Sequence, residues 1–306
     1  MSEPQNAILP EPGSSALFLV LRVAEAQAVT PLAKLLAGVP EMTGALAAQA
    51  PDAHLVSAVG IGSELWDRLA PRKRPRGLRA FATVEANGRR APATGGDLLL
   101  HIISDRHDVN FELALRLRRQ LGSAVEVLEE VHGFRYLDSR DLTGFIDGTE
   151  NPHGAERAEV ALIGAEDPDF AGGSYAYTQK YLHDLGRWTA LATADQELIV
   201  GRRKADSEDL PEAIKPATAH IKRATIEDNG AELKIVRHSF PFGTTSAAGL
   251  FFIAYCRTLD IPERMLRRLI GTSGDGVHDR LMEFTRAVTG ANFFVPSLQV
   301  LGALAA

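Results

Sequence analysis

The sequence predicts an α+β protein made of two ferredoxin-like units, each an antiparallel sheet backed by helices. Three observations carry this. Strand-like and helix-like segments alternate from Ala16 to Tyr136, the second half repeats that order, and only the N-terminal dozen residues form a polar, structureless stretch. No sequence repeat accompanies the repeated order of elements.

In the first half, Ala16–Val23 (ALFLVLRV) is a continuous apolar run and reads as a strand. Val29–Ala48, rich in Ala and Leu, reads as one helix. Leu55–Gly62 is a second strand, followed by the short amphipathic SELWDRLA. Asp97–Ser104 (DLLLHIIS) reads as a buried strand and Asn110–Gln120 as a helix, and Ser123–Tyr136 returns as a strand pair or one long strand.

In the second half, Ser174–Asp184 (SYAYTQKYLHD) alternates like a strand and Ala194–Val200 is helical. Ala231–Arg237 and Gly249–Tyr255 read as strands, Pro262–Ile270 and Val277–Val288 as helices. On the last helix Val277, Leu281, Phe284 and Val288 share an apolar face, which turns Asp279 and Glu283 away from it. Glu283 can pair there with Arg286 at i,i+3. The linker is expected within Leu137–Thr143, dividing residues 1–140 from 141–306.

Apolar residues make up 45% of the chain and charged residues 24%, the profile of a soluble globular protein. A net charge of −6 without a basic stripe argues against nucleic-acid or anionic-membrane binding. The arginine-rich Pro71–Arg79 (PRKRPRGLR) is short and proline-broken, so it reads as a solvated loop. Cys256 is the single cysteine, so no disulfide forms within the chain, as suits a reducing compartment. The opening residues have no cationic n-region, and their apolar run, broken at Arg22, is too short to span a bilayer. A cytoplasmic protein is expected.

Four stretches can carry chemistry. In GFIDGTENPHG (144–154) the acid Asp147 sits between an apolar pair and a run of turn formers. Asp-Gly and Asn-Pro build turns, so Asp147 either shapes a loop or is a carboxylate held ready to take a proton. His220 lies in ATAHIKRAT, where it is a helix-edge residue or a ligand. No HExxH, His-x-His or cysteine pair points to zinc, yet a single His suffices for haem iron. Arg237, in IVRHSFPFG, ends a strand-like segment with a permanently charged fork of donors, for a salt bridge or an anion. GLFFIAYC (249–256) reads as a core strand.

Together these stretches resemble the dye-decolorizing peroxidase family. GFIDGTENP is similar to its GxxDG signature. AHIKRA, VRHSFPFG, GLFFIAY and DRLMEF followed by FFVPS match its later landmarks in order. The resemblance is dense from Gly144 to Ser297 and looser in GSELWDRL and DLLLHIIS. The short length and missing export signal resemble the B-type branch.

That resemblance implies two ferredoxin-like domains of the dimeric α+β barrel superfamily, with one haem b per chain held mainly by the C-terminal domain. It implies a peroxidase that reduces hydrogen peroxide through an oxoferryl porphyrin radical and oxidises dye-like, phenolic or other small reductants. His220 would be the axial iron ligand, with Asp147 and Arg237 on the opposite face. Gly148, Thr149 and Phe251 would join Arg237 around the cofactor. Ser239 stands where many members carry Asn, and can still hydrogen-bond a water. Behind His220 a carboxylate is expected, Glu283 first and Asp279 second.

His183 is the rival axial ligand. Trp66, Trp188, Tyr175, Tyr177 and Tyr181 could relay electrons, and none is assigned a role. A homo-oligomer, dimeric or higher, is expected, and the end of the chain at SLQVLGALAA leaves no room for an encapsulin-targeting tail. The competing reading is a haem carrier or iron-handling protein with incidental peroxidase activity, which has no need for a paired Asp and Arg. A hydrolase lacks its GxSxG elbow.

Overall fold

The first apolar run forms β1 (Ser15–Val23), buried along its whole length except at Arg22. Burial on both faces explains why this strand is continuously hydrophobic rather than alternating. The computed structural model describes residues 2–24 and 29–305. The predicted long helix divides into α1 (Val29–Ala37) and α2 (Val39–Gln49). Pro40, in the first turn of α2, has no N–H to continue the ladder of α1, so Gly38 becomes the break.

There follow β2 (Val56–Ile61), α3 (Ser63–Leu69), the hairpin β3 (Val84–Ala86) and β4 (Arg89–Ala91), β5 (Leu98–Ser104), α4 (His107–Leu121) and one long strand, β6 (Val125–Phe134). The second half contributes α5 (Glu156–Ala161), β7 (Ser174–His183), α6 (Leu185–Thr189), α7 (Thr193–Val200) and α8 (His220–Ala224). After these come β8 (Glu227–Asp228), β9 (Ala231–Glu232), β10 (Val236–Arg237), β11 (Phe240–Gly243), β12 (Ala248–Cys256) and α9 (Asp260–Ile270). The last elements are β13 (Thr285–Ala287), β14 (Ala291–Val295) and α10 (Leu298–Ala303).

The strands form two antiparallel half-sheets, β6-β1-β5-β2 and β11-β12-β7-β14. They meet at two seams of one residue pair each, Phe242 opposite Gly133 and Phe294 opposite Ile61. Because β12 also pairs with β7, the eight strands close into a barrel, with β10 and β13 as short outer additions. Its interior is packed with aromatic and branched side chains: Phe18 stacks on Phe251 at 4.2 Å and on His101 at 4.7 Å, among Val20, Leu99, Ile253 and Phe293.

The outer faces of the two halves differ. In the first half, Leu17, Leu19, Leu98 and Leu100 form one cluster with Leu36 of α1, Leu46 of α2 and Leu113 of α4. In the second, α8 and α9 pack on each other and stand over β7 and β12 with a cleft between. Gly249 lets the two strands of that cleft wall lie together, since a Cβ there would come within 1.8 Å of the Tyr181 carbonyl oxygen.

Two further expectations are corrected. Residues 277–288 are not a helix: a 3-10 turn at Arg280–Glu283 leads into β13, which pairs with β7. The apolar spacing fitted a helix, but β-branched Thr285 and Val288 find the open edge of β7, and tertiary pairing overrides the local pattern. Ala231–Arg237 is broken into β9 and β10, with Leu233, Lys234 and Ile235 turned to the cleft. Pro71–Arg79 is the exposed loop expected, with Arg72, Lys73, Arg74 and Arg76 exposed and only Pro75 and Leu78 buried, and it is tied down at its edges. Its Arg79 forks onto Glu263 at 2.9 Å, the Arg76 amide bonds Asp167, and Arg74 pairs with Asp67.

Candidate active site

The cleft between the β7–β12 face and α8–α9 encloses about 250 Å3. Its walls are mainly apolar, with Ile221, Leu250, Phe252, Leu266, Leu269 and Leu281 among them. His220, Asp147, Arg237, Gly148 and Thr149 all line it, so residues scattered over 90 positions of sequence share one cavity.

His220 is the first residue of α8, and its Nδ1 lies 2.5 Å from Oδ2 of Asp279. Asp279 is fully buried, and its Oδ1 accepts the Leu281 N–H at 2.8 Å. The backbone around it is fixed on both sides, Asp279 N–H to the Leu269 carbonyl and Arg280 N–H to that of Thr218. Burial disfavours a charged imidazole, but the Asp279 carboxylate outweighs it and raises the His220 pKa above its ordinary value. Arg237 lowers it and Asp147 raises it by smaller amounts.

Glu283, the first expectation for this carboxylate, is instead exposed and pairs with His278 at 3.0 Å. The missing helix explains the exchange. On a 3-10 turn Asp279 sits at the N-cap, pointing in, and the Glu283–Arg286 pair has no helix to form on.

Asp147 and Arg237 form an ion pair, with Arg237 Nη1 3.0 Å from Asp147 Oδ1. The turn formers fix the acid: Gly148 adopts φ +82°, a conformation suited to glycine, and its N–H donates to Asp147 Oδ1 at 2.7 Å. Thr149 bonds Arg202, which also pairs with Glu150 and Asp209 at the mouth of the cleft. Ser239 lines a small adjoining cavity of about 90 Å3 that shares Asp147 and Arg237 with the cleft, and its hydroxyl accepts the Ile253 N–H at 3.4 Å. Phe251 does not reach the cleft. Side chains alternate along β12, so Leu250 and Phe252 face the cleft while Phe251 points into the barrel.

His183 also lines the cleft, but both its ring nitrogens are engaged, Nδ1 with Thr285 Oγ1 at 2.7 Å and Nε2 with Asp141 Oδ1 at 3.2 Å. Neither is left for a metal. Burial pushes the Asp141 pKa up, but His183 and Thr143 outweigh it and hold the carboxyl below its usual range. Sequence reasoning passed over Asp141 and Thr285, and no local pattern marks them. Tyr177 and Tyr181 line the cleft, whereas Tyr175, Trp66 and Trp188 are buried elsewhere.

A haem fits these residues. Among the described residues no three His, Cys, Asp or Glu side chains gather to hold a metal, so an ion at His220 would draw its other ligands from a non-protein group. With Nδ1 committed to Asp279, Nε2 is the nitrogen left for it. The Tyr177 hydroxyl and the Gln179 amide nitrogen, both on the cleft wall, have no hydrogen-bond partner among the described residues.

Residues 5–135 match the family described as Dyp-type peroxidase, N-terminal, and residues 138–300 match Dyp-type peroxidase, C-terminal. A dye-decolorizing peroxidase of Mycolicibacterium paratuberculosis is 45% identical over 302 residues, covering 98% of this chain and 85% of its own. The solved DyPB of Rhodococcus jostii is 41% identical with a TM-score of 0.95, over 98% of this chain and 97% of that one. A variant of that protein solved in complex with heme is 40% identical with a TM-score of 0.94, over 98% and 97%.

Proposed function

The chain belongs to the dye-decolorizing peroxidase family and is a haem peroxidase of that type, and from that premise we propose how its own residues perform the reaction. His220, through its free Nε2, would hold one haem b per chain in the cleft, leaving Asp147 and Arg237 to act on bound peroxide. One observation carries this: His220, backed by buried Asp279, and the Asp147–Arg237 ion pair open into the same cleft.

Bound haem would supply the redox chemistry, two-electron cleavage of peroxide and one-electron oxidation of a reductant. The chain governs the protons and charges. Asp147 takes the proton from the inner peroxide oxygen and delivers it to the outer one, directly or through a water, help worth roughly 10²–10⁴ in rate. Arg237 steadies the negative charge that develops on the departing oxygen, as an oxyanion hole does. Asp279 holds the Nδ1 proton of His220, fixing the tautomer and making the ring a stronger donor. Ser239 orders water in the adjoining cavity, and the apolar walls of the cleft keep bulk water out.

The finer assignment we favour is the B-type branch, supported by the likeness to DyPB over nearly the whole of both chains. We place the divide between the halves at residues 140 and 141, in the stretch between β6 and α5. The enzyme acts on hydrogen peroxide with small reducing substrates, as a cytoplasmic homo-oligomer. No helix among the described residues is long and apolar enough to cross a membrane.

The test is an absorption spectrum of protein purified with haem supplied, beside His220→Ala and His183→Ala. A Soret band lost or displaced in His220→Ala and kept in His183→Ala supports the ligation. A band unchanged in His220→Ala would overturn it.

A further inference from the structure

β10 is two residues long and pairs with β12 on one side only, so it is an edge. Bonding to β12 alternates along it: the His238 N–H reaches the Ile253 carbonyl, while the N–H and C=O of Arg237 point the other way. Both are met by one side chain. Asn151 Oδ1 accepts the Arg237 N–H at 2.8 Å, and Asn151 Nδ2 donates to the Arg237 carbonyl at 2.8 Å. A primary amide offers a donor and an acceptor in the spacing of a peptide group, so Asn151 replaces the missing neighbouring strand. It is buried and lies four residues beyond Asp147, with its own N–H bonded to the Gly148 carbonyl at 3.0 Å.

A second stitch lies one layer deeper. Arg157, buried, donates to the Pro152 carbonyl at 3.1 Å and to His238 Nε2 at 2.9 Å, and also to the carbonyls of Leu9 and Pro10. The loop bearing Asp147 and the strand bearing Arg237 are therefore sewn together at consecutive residues, 151 to 237 and 152 to 238.

We propose that Asn151 is a positioning residue for the peroxide reaction, setting the separation of Arg237 from Asp147 by holding the Arg237 backbone to the Asp147 loop. This rests on the assignment of Asp147 and Arg237 to the peroxide face. Neither Ala, which offers no polar group, nor Asp, which offers no donor, can make the two-point pair. Misplacement of acting groups by about 1 Å costs on the order of a hundredfold in rate.

The experiment compares native protein with Asn151→Ala, Asn151→Asp and the control His153→Ala, which alters an exposed side chain of the same loop. Hydrogen exchange at the Arg237 amide is measured without haem, and the bimolecular rate constant with peroxide with haem bound. Thermal midpoints and haem content establish that each variant is folded.

In Asn151→Ala, exchange at Arg237 should quicken at least about tenfold and the peroxide rate constant fall about ten- to a hundredfold. KM for a reducing dye should stay as in the native protein. Asn151→Asp keeps the acceptor for the Arg237 N–H and should retain most of its protection, with an intermediate rate. His153→Ala should match the native protein. Faster exchange with a peroxide rate within twofold of native would overturn the positioning role, and unchanged exchange would overturn the stitch itself. Asp147→Ala and Arg237→Leu run alongside: native peroxide rates in those two would sink the parent assignment, and this inference with it.

Discussion

Asp279, with no exposed surface, holds Nδ1 of His220 at 2.5 Å, so the imidazole that faces the cleft is backed by a carboxylate the solvent does not reach. Burial opposes the charged ring and Asp279 reverses that balance, leaving the His220 pKa raised. Removing the carboxylate leaves burial in command. In haem-free Asp279→Asn the His220 titration, followed by NMR, should therefore move down from its native value. In the loaded enzyme, haem affinity or peroxide reactivity should drop about 10–100-fold.

Asp147 and Arg237 share one ion pair and should behave as one unit. Arg237→Leu is expected to cost about 10²–10³ in the peroxide rate constant, and Asp147→Ala about 10²–10⁴. The double variant should lose far less than the product of the two, because each single change already disables the other group. Stopped-flow rates for the four proteins test this, and strict additivity would show that the pair acts independently.

Two buried histidines make the fold acid-sensitive. Burial, then the positive charge of Arg157, lowers His238 to about 3, and burial, then His238, holds His101 well below its ordinary value. Both stay neutral in the folded chain, while the unfolded chain protonates them near pH 6.5. Below that pH the unfolded state binds more protons, so stability falls with acidity, by up to about 2.7 kcal/mol per pH unit for the two together. Above about pH 7 they contribute no slope. His238→Gln, which keeps an acceptor for Arg157, should halve their contribution in urea denaturation series between pH 6.5 and 4.5.

A methyl group at position 249 has nowhere to go, since it would meet the Tyr181 carbonyl at 1.8 Å. Gly249→Ala should cost about 3 kcal/mol or more, read as a lowered thermal midpoint, because backbone cannot yield as a side chain would. Gly302→Ala, in α10 with nothing within 4 Å, should be neutral or slightly stabilising.

The sequence marked His220, Asp147 and Arg237 because each lies in a short motif whose residue types suit its chemistry. It could not rank Asp279 over Glu283. That choice turned on whether residues 277–288 coil or extend, and the open edge of β7 decided it. Strand 249–256 was legible as a strand but not as a sided one. An unbroken apolar run gives no alternation to read, so Phe251 was expected at the cofactor when Leu250 and Phe252 face that way. Asn151 looked like a turn former beside Pro152, and only the fold reveals that its amide completes the edge of a strand 86 positions downstream in the same site.

The barrel has a consequence for anyone who would cut this chain at its linker. Among the described residues one pair joins the half-sheets at each seam, and the shared interior adds Phe18 and Val20 from one side against Phe251, Ile253 and Phe293 from the other. Excised, either fragment would carry a whole sheet face of bare hydrocarbon into water, and the readiest cover for it would be a second copy of the same fragment. The two halves are thus partners by complementarity within a single polypeptide, inseparable as soluble pieces though each has its own sheet and helices.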